Sequence, residues 1–473
     1  MGKETRRALV GYSLHMQMPS RPARPAARAL TAAFVLAAAV LAAAHAQTDH
    51  AAKARAIVER MAAQDFAAVT TDFNETLRKA VTEERLRSSW RSILEQAGAF
   101  KEITGTRVET RGATRVTIVT IAFERFPLQA ELVFDAESRV ANFNIRPSLP
   151  PPPPPSPMPA YANPSAFTDR EVVIGSGEWT VPGTLSIPEG GPPVPALILV
   201  HGSGPQDRDS TLGPNKPFRD LAAGLASRGV AVLRYEKRTR QYGMKMAGLK
   251  TLTVREETID DVIAAAALLR ATPGISPDAI YVLGHSLGGT VMPRIAEADP
   301  TLAGFVILAG LTRPLVETIA AQVRYIALAD GTISEAERQQ IADTERVVQE
   351  VNKLQPEDAS SGRLIAGAPA SYWLDLRSYD PAMAAKAIER PMLVLQGERD
   401  YQVTMADFKR WRDILAGRPS VTFKSYPALN HLFMPGKGAS VPAEYQQPGN
   451  VAEEVVRDIA AWILKARQAS QIQ

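Results

Sequence analysis

The sequence predicts two folded domains: a small α+β domain, then a larger α/β domain with a mostly parallel, doubly wound sheet and an inserted helical lid. Three observations support this prediction. The chain has 473 residues, more than one ordinary core accommodates. An unbroken proline run divides it at 150–155. Beyond that run, continuous apolar segments alternate with helical patterns, as in a parallel sheet that is covered on both faces.

Residues 1–46 have the pattern of a secretory signal peptide. Several arginines precede an apolar run at 29–44, and Ala44-His45-Ala46 offers the small-x-small pattern that a signal peptidase cleaves. The alternative is a membrane anchor, but the run has about 16 residues, fewer than the roughly 20 that span a bilayer. We therefore expect cleavage after Ala46 and an exported protein, periplasmic or secreted, with no stable membrane anchor.

The charge balance gives no support for a nucleic-acid partner. The chain carries 54 basic and 50 acidic residues, a formal net charge of +4. The expected leader holds six of the basic residues and one acidic residue, so the remainder has 48 and 49 and a net charge of −1. The basic excess therefore belongs to the leader. The chain also lacks cysteine, which excludes disulfides, a thiol nucleophile and a lipoprotein anchor.

The first domain is predicted at 48–146. Apolar residues at 51–97 recur mostly every three to five positions, which predicts helices. A meander of short strands is predicted to follow, at 115–124, 127–134 and 139–145. The proline-rich segment 147–165 then predicts a polyproline II linker between the domains.

The second domain is predicted at 166–470. Its predicted helices include 218–228 and 254–270. The stretch at about 313–389 is too long for one crossover between strands and is mostly helical in pattern, so we interpret it as a lid. The predicted strands lie at 195–200, 230–235, 279–283, 305–309, 391–395 and 421–426.

The most specific motif is G-x-S-x-G, here Gly284-His285-Ser286-Leu287-Gly288. It follows a predicted strand and precedes a predicted helix, the context that a nucleophile elbow requires. The serine of such an elbow lies on a strained turn, so the positions two residues to either side must lack side chains. We therefore predict that Ser286 is a nucleophile; the alternative is a glycine-rich turn with an idle serine.

A serine hydroxyl needs a nearby base, and elimination among the six histidines favours His431. His431 lies in a loop after the predicted strand 421–426, where a late histidine serves as the base of such a fold. The alternative is a surface histidine. The remaining histidines lie in the leader, at the start of the mature chain, inside the elbow or in the motif considered below: His15, His45, His50, His285 and His201.

The residue that orients the base is expected between the serine and the histidine in the chain. The segment Gln396-Gly397-Glu398-Arg399-Asp400 follows the predicted strand 391–395 and supplies two carboxylates. We favour Asp400 and keep Glu398 as its rival, since both lie at the carboxyl end of that strand.

An oxyanion hole is predicted at the turn His201-Gly202-Ser203-Gly204, which follows the strand 195–200. Its backbone N–H at Ser203, together with the N–H of Leu287, would bind the substrate oxyanion. We expect the His201 side chain to be structural. The charged residues just beyond this turn are expected to hold it by ion pairs rather than to contact substrate: Asp207, Arg208 and Asp209.

The sequence predicts neither a metal site nor a cofactor. It has no H-E-x-x-H pattern and no G-x-x-x-x-G-K-[ST] phosphate loop. The histidines that could ligate a metal are already assigned to the motifs above.

Several motifs resemble known families. Residues 166–470 resemble the α/β-hydrolase superfamily, and three runs are similar to a group of bacterial carboxylesterases: H-G-S-G-P-Q-D-R-D at 201–209, G-P-N-K-P-F at 213–218 and Y-E-K-R-T at 235–239. The first domain is similar to a small N-terminal domain of some members, which implies a nuclear-transport-factor-2-like fold. The resemblance implies a nucleophile, acid and base at Ser286, Asp400 and His431.

The expected function is hydrolysis of small-molecule carboxylic esters with small to medium acyl groups, through an acyl-enzyme. A serine peptidase, aminopeptidase or thioesterase is the alternative, because the same triad serves those reactions. A non-enzymatic ligand-binding module is a second class of alternative. The first domain could help to cover the catalytic pocket or mediate a homodimer.

Overall fold

The structure is a computed structural model that describes residues 50–111, 114–148 and 155–472. The expected signal peptide, 1–46, lies outside the described residues. The described residues fall into two compact units, one ending at 148 and the other beginning at 155. Among them, no helix is both long enough and apolar enough to cross a bilayer.

The helices of the first unit begin at polar capping residues. The side chains of Asp65, Asn74 and Thr82 each accept a hydrogen bond from a backbone N–H of the following turn. These caps divide the predicted helical stretch into separate helices, which in the described residues are α1 (50–62), α2 (Phe66–Thr71), α3 (Glu75–Ala80) and α4 (Glu83–Ala97).

The helices share an apolar core with an antiparallel sheet whose strands follow one another in chain order. Trp90 of α4 and Ile121 of the sheet are buried in this core. The predicted α+β arrangement is thereby confirmed, while the nuclear-transport-factor-2-like fold stays a prediction. The described strands are β1 (Phe100–Arg111), β2 (Thr114–Phe123), β3 (Leu128–Phe134) and β4 (Val140–Pro147).

The second unit is built on a larger sheet, and its lid carries a separate short hairpin. The described strands of this unit are β5 (Phe167–Ile174), β6 (Val181–Pro188), β7 (Val194–Val200), β8 (Ala231–Tyr235), β9 (Ile275–His285), β10 (Gly304–Leu308), β11 (Leu364–Ile365), β12 (Ala368–Pro369), β13 (Met392–Gly397) and β14 (Val421–Tyr426).

The order of strands in the described part of this sheet is β14-β13-β10-β9-β7-β8-β6-β5. Strands β14 to β8 run parallel, and β6 and β5 continue the sheet as an antiparallel edge. Strands β8, β10 and β13 are buried along their whole length, as their continuous apolar sequence predicts. The predicted mostly parallel, doubly wound sheet is confirmed.

Helices connect the strands of this sheet, and α8 is preceded by a π-helical turn at Arg255–Ile259. The described helices are α5 (Pro217–Ala226), α6 (Arg238–Gln241), α7 (Gly243–Ala247), α8 (Asp260–Arg270), α9 (Leu287–Thr290), α10 (Met292–Ala298), α11 (Leu315–Ala327), α12 (Glu335–Lys353), α13 (Ala370–Arg377), α14 (Pro381–Ala384), α15 (Met405–Ile414) and α16 (Glu453–Ile472).

The segment between β10 and β13 forms the helical insertion expected at about 313–389, with helices α11 to α14 and the hairpin of β11 and β12. Its longest helix, α12, begins with a capping box in which Ser334 and Glu337 exchange side-chain and backbone hydrogen bonds.

The end of the proline-rich segment packs onto the second unit. The backbone N–H of Ser156 donates to the carbonyl of Pro214 at 2.8 Å. Farther along, the hydroxyl of Tyr161 donates to the carbonyl of Val451 at 2.8 Å. The residues from 156 onward therefore belong to the packed structure of the second unit.

Candidate active site

Ser286 lies on the turn between β9 and α9 with a backbone φ of 55° and ψ of −120°. A residue other than glycine rarely adopts a positive φ, so this backbone is strained. The flanking glycines make the turn sterically feasible. A Cβ at position 284 would lie 2.2 Å from the oxygen of Gly288, and one at position 288 would lie 2.5 Å from the oxygen of Val200. The turn has the geometry that the motif predicts.

The neighbours of Ser286 come from the two strands that flank β9 in the sheet. Its backbone N–H donates to the carbonyl of Leu308, at the end of β10, at 2.9 Å. On the other side, a Cβ at Gly202 would lie 3.1 Å from the Cβ of Ser286. Position 202 lies just beyond β7, so the glycine-rich turn expected to bind an oxyanion reaches the serine.

His431 and Asp400 are joined by a buried hydrogen bond. Nδ1 of His431 lies 2.6 Å from Oδ2 of Asp400, and each residue is only 5% exposed. The other oxygen, Oδ1, accepts the backbone N–H groups of Gln402 and Val403 at 2.7 and 3.0 Å. The amide of Gln396 donates to Oδ2 at 3.2 Å. These donors hold the carboxylate in place and satisfy its charge.

This pairing selects the tautomer of the imidazole. An ionised carboxylate can only accept hydrogen bonds, so Nδ1 of His431 carries the proton. Nε2 then keeps a free lone pair, as a general base requires.

The rival carboxylate, Glu398, lies elsewhere. Its side chain is exposed and accepts a hydrogen bond from the hydroxyl of Ser425 at 2.7 Å. Of the two carboxylates that the sequence left open, the structure brings Asp400 to the imidazole of His431.

The loop that carries His431 is shaped by its neighbours. Oδ1 of Asn430 accepts the backbone N–H groups of Leu432 and Met434 at 3.0 and 3.2 Å. The ring of His285 lies 4.5 Å from that of His431, centroid to centroid. Its Nε2–H donates to the carbonyl of His431 at 2.9 Å. The residue that precedes Ser286 thus contacts the loop of the expected base.

Among the described residues, Oγ of Ser286 makes no hydrogen bond with His431. The structure places His285, the residue next to Ser286, against the loop that carries His431. Hydrogen bonds of catalytic groups are commonly long before substrate binds and tighten in the complex.

Two other histidines of this region are held neutral. Burial lowers the pKa of His201 and of His285 to about 3. Nε2–H of His201 donates to the carbonyl of Asp207 at 3.0 Å, and its ring packs against Phe218 and Tyr235. The side chain of His201 is therefore structural, as expected.

We call the turn at 201–204, which is predicted to bind an oxyanion, the oxyanion turn. Ion pairs of Arg208 and Asp209 fix the chain beyond it, as the sequence predicts. Arg208 pairs with Glu171 and Glu236 at 2.7 and 3.0 Å. Asp209 pairs with Lys216 at 2.9 Å and also contacts Arg234. Asp207 instead accepts backbone N–H groups within its own turn. None of the contacts described for these three residues involves Ser286.

A buried polar group that the sequence pattern did not reveal lies next to the turn 201–204. Nζ of Lys237 donates to the carbonyl of Gly202 at 2.7 Å and pairs with Glu257 at 2.8 Å. The hydroxyl of Tyr372 donates to the same carboxylate at 2.8 Å. The available signal was a lysine two residues after the end of a buried strand.

No group of three or more histidines, aspartates or glutamates in the described part of the chain is arranged to hold a metal ion.

Comparison with known proteins finds a family match in each unit. Residues 197–445 match the alpha/beta hydrolase family, and residues 54–143 match DUF3887, a family of unknown function. The esterase EstD of Thermotoga maritima is 34% identical over 408 residues, which cover 86% of this chain and 94% of EstD.

The solved structures that the comparison finds include two esterases. The hyperthermophilic esterase of the archaeon Pyrobaculum calidifontis has 17% identity and a TM-score of 0.41, over 65% of this chain and 86% of that one. Est1E of Butyrivibrio proteoclasticus has 16% identity and a TM-score of 0.40, over 63% of this chain and 99% of that one. By its family match and its similarity to EstD along most of its length, the chain belongs to the α/β-hydrolase family and is an enzyme related to an esterase.

Proposed function

We propose that the chain is a serine carboxylesterase in which Ser286 is the nucleophile, His431 the general base and Asp400 the residue that orients the base. The observation that carries the proposal is the buried 2.6 Å hydrogen bond between Nδ1 of His431 and Asp400. It leaves Nε2 free to accept a proton. Ser286 lies on a strained turn, as the nucleophile of an elbow does. The relationship to the esterase EstD supports an ester substrate.

In the first step, Oγ of Ser286 attacks the carbonyl carbon of the ester while Nε2 of His431 takes its proton. The carbonyl oxygen becomes an oxyanion, and the N–H groups of Ser203 and Leu287 are proposed to bind it. Each such donor contributes about 3 kcal/mol to lowering the barrier. When the intermediate collapses, the imidazolium protonates the departing alcohol and an acyl-enzyme remains.

In the second step, His431 removes a proton from water, and the resulting hydroxide attacks the acyl-enzyme. Collapse of this second intermediate returns the proton to Oγ of Ser286 and releases the acid. Asp400 stabilises the imidazolium in both steps while remaining ionised. Its two backbone N–H donors, from Gln402 and Val403, hold the carboxylate in place beside the imidazole.

The substrate is proposed to be an ester with a small to medium acyl group, and the insertion at about 313–389 is the proposed determinant of its size. The aromatic ring of Tyr325, on α11, stacks on Tyr401 at 4.9 Å between ring centroids. Position 401 directly follows Asp400, so this helix of the insertion contacts the loop of the triad carboxylate.

The substrate class is tested with matched chromogenic compounds that share an acyl group. p-Nitrophenyl esters of two to eight carbons are compared with the corresponding p-nitroanilides and thioesters. We expect the highest kcat/KM with an ester. A higher kcat/KM with aminoacyl anilides or with thioesters would contradict the proposed ester specificity and favour a peptidase or a thioesterase.

A further inference from the structure

Lys237 is almost completely buried, although it is a charged residue in the loop after β8. Its exposed fraction is 2%, and that of its ion-pair partner Glu257 is 5%. Taking an ammonium group out of water costs several kcal/mol, so such a group needs close partners. Lys237 has two: a carboxylate oxygen of Glu257 at 2.8 Å and the carbonyl oxygen of Gly202 at 2.7 Å.

The carbonyl of Gly202 belongs to the peptide group whose N–H is that of Ser203. The described peptide bonds are all trans, so the C=O and N–H of this group point in opposite directions. A donor that fixes the carbonyl on the buried side therefore also fixes the direction of the Ser203 N–H. Among the described residues, that N–H donates to none, and Gly202 lies against the Cβ of Ser286.

Glu257 is held in turn from the lid. The hydroxyl of Tyr372, on α13, donates to Oε2 of Glu257, while Lys237 contacts Oε1. Burial raises the pKa of Tyr372 well above its ordinary value, so its hydroxyl stays protonated and remains a donor. The two carboxylate oxygens thus have one partner each, one from the lid and one from the core.

We propose that Lys237 is a positioning residue that aims the Ser203 N–H at the oxyanion, and that Glu257 and Tyr372 extend this support to the lid. The inference rests on the proposed function, because it assigns a role in the same oxyanion hole. A positioned donor matters more in the transition state than in the ground state, where the carbonyl carries little charge. Loss of the support should therefore reduce kcat much more than it changes KM.

A purely structural role for this buried ion pair is the alternative, and the chain offers a matched control for it. Arg238 and Asp261 form a neighbouring buried pair, one residue and four residues farther along the chain. The guanidinium of Arg238 contacts Asp261 and the ring of Trp179, and none of its described contacts is with the oxyanion turn. Removing either pair removes two buried charges. Only the removal of Lys237 and Glu257 also leaves the carbonyl of Gly202 without its donor.

The experiment compares Lys237→Met/Glu257→Gln with Arg238→Met/Asp261→Asn in the full chain. For each variant, kcat and KM are measured with p-nitrophenyl butyrate, stability by urea unfolding, and the dissociation constant of phenylboronic acid, which forms a tetrahedral adduct with a serine nucleophile. We expect the first variant to lose about 100-fold in kcat and to bind the boronic acid correspondingly more weakly, with KM changed less than about threefold. The control should stay within about threefold of the wild type in kcat, in KM and in the dissociation constant of the boronic acid.

Equal kcat values for two folded variants would overturn the inference. Tyr372→Phe keeps the charges of Lys237 and Glu257 and replaces the double variant in this test if that variant does not fold. For Tyr372→Phe we expect a decrease in kcat of roughly 5- to 10-fold at unchanged KM. A kcat equal to that of the wild type would overturn the inference as well. Ser286→Ala distinguishes a failure of the inference about Lys237 from a failure of the proposed function. If Ser286→Ala is inactive while Lys237→Met/Glu257→Gln and Tyr372→Phe behave as the control does, the inference about Lys237 fails and the proposed function stands.

Discussion

Nε2–H of His285 donates a 2.9 Å hydrogen bond to the backbone carbonyl of His431. One residue of the elbow thereby holds the loop that carries the proposed base, across 146 positions of the chain. His285 can do so only as a donor, and burial keeps it neutral by lowering its pKa to about 3. The proposed nucleophile and base are therefore placed relative to each other by an uncharged side chain next to Ser286.

Substitution of His285 should make the loop that carries His431 less rigid. His285→Leu leaves the buried carbonyl of His431 without a partner, which costs about 1–3 kcal/mol. We expect a loss of that size in the free energy of unfolding and a decrease of about 10-fold in kcat. Urea unfolding and ester hydrolysis measure the two effects. His285→Gln is the control, because its amide retains a donor; equal losses in both variants would contradict the assigned role of the hydrogen bond.

The assignment of the carboxylate can be tested at two neighbouring positions. Asp400→Asn presents an amide to the imidazole and favours the wrong tautomer, so we expect kcat to fall by about 10⁴-fold. Glu398→Gln should leave kcat within about twofold of the wild type, since Glu398 contacts Ser425 at the surface. Steady-state kinetics with p-nitrophenyl butyrate measures both. A large loss confined to Glu398→Gln would show that the wrong carboxylate was assigned.

The steric requirement of the elbow makes Gly284 intolerant of a side chain. In Gly284→Ala, the new Cβ would meet the oxygen of Gly288 at 2.2 Å, so the turn must shift. We expect either loss of soluble protein or a loss of several kcal/mol in the free energy of unfolding. Gly243→Ala is the control, because its Cβ would meet no atom within 4 Å and its φ is not positive. Wild-type stability of Gly284→Ala would contradict this account of the turn.

His201 should make the protein less stable as the pH falls. Its pKa is lowered from 6.5 to about 3 in the folded state, so between these values the unfolded chain binds a proton that the folded chain does not. The contribution of His201 to the free energy of unfolding is fully present above pH 6.5 and declines as the pH falls toward 3. From pH 7 to pH 5, one such histidine accounts for about 2 kcal/mol.

The pH effect is isolated by comparing the wild type with His201→Gln, in which the other titrating groups are retained. Urea unfolding is measured for both at pH 7 and pH 5. We expect the wild type to lose about 2 kcal/mol more than the variant between the two pH values. Equal losses would show that the pKa of His201 is near its ordinary value in the folded protein.

Local patterns explain what could be predicted from the sequence. The predicted strand 279–283 before Ser286 is continuously apolar and the glycines at 284 and 288 are obligatory, so both the elbow and the buried strands of the sheet were predictable. The strand β5 was not predicted, because most of its residues are exposed and include Arg170 and Glu171, and such an edge strand has no buried apolar run. Its pairing with β6 becomes visible only in the folded sheet.

Contacts that depend on strand pairing could be predicted only in part, because the sequence favoured Asp400 without excluding Glu398. Both Glu398 and Asp400 follow the same strand, and only the twist of the following turn decides that Asp400 faces His431. Lys237 meets Gly202 because β7 and β8 are parallel neighbours whose carboxyl ends share one edge of the sheet. Neither contact has a signature in the spacing of residues along the chain.

The identity of the nucleophile is the central claim, and labelling with a fluorophosphonate combined with turnover of p-nitrophenyl butyrate tests it most directly. We expect peptide mapping of the labelled wild type to place the phosphonyl group on Ser286. Ser286→Ala should take up no label and lose about 10⁴- to 10⁶-fold in kcat while keeping its circular dichroism spectrum. A folded Ser286→Ala variant that hydrolyses the ester at a rate near that of the wild type would contradict the account.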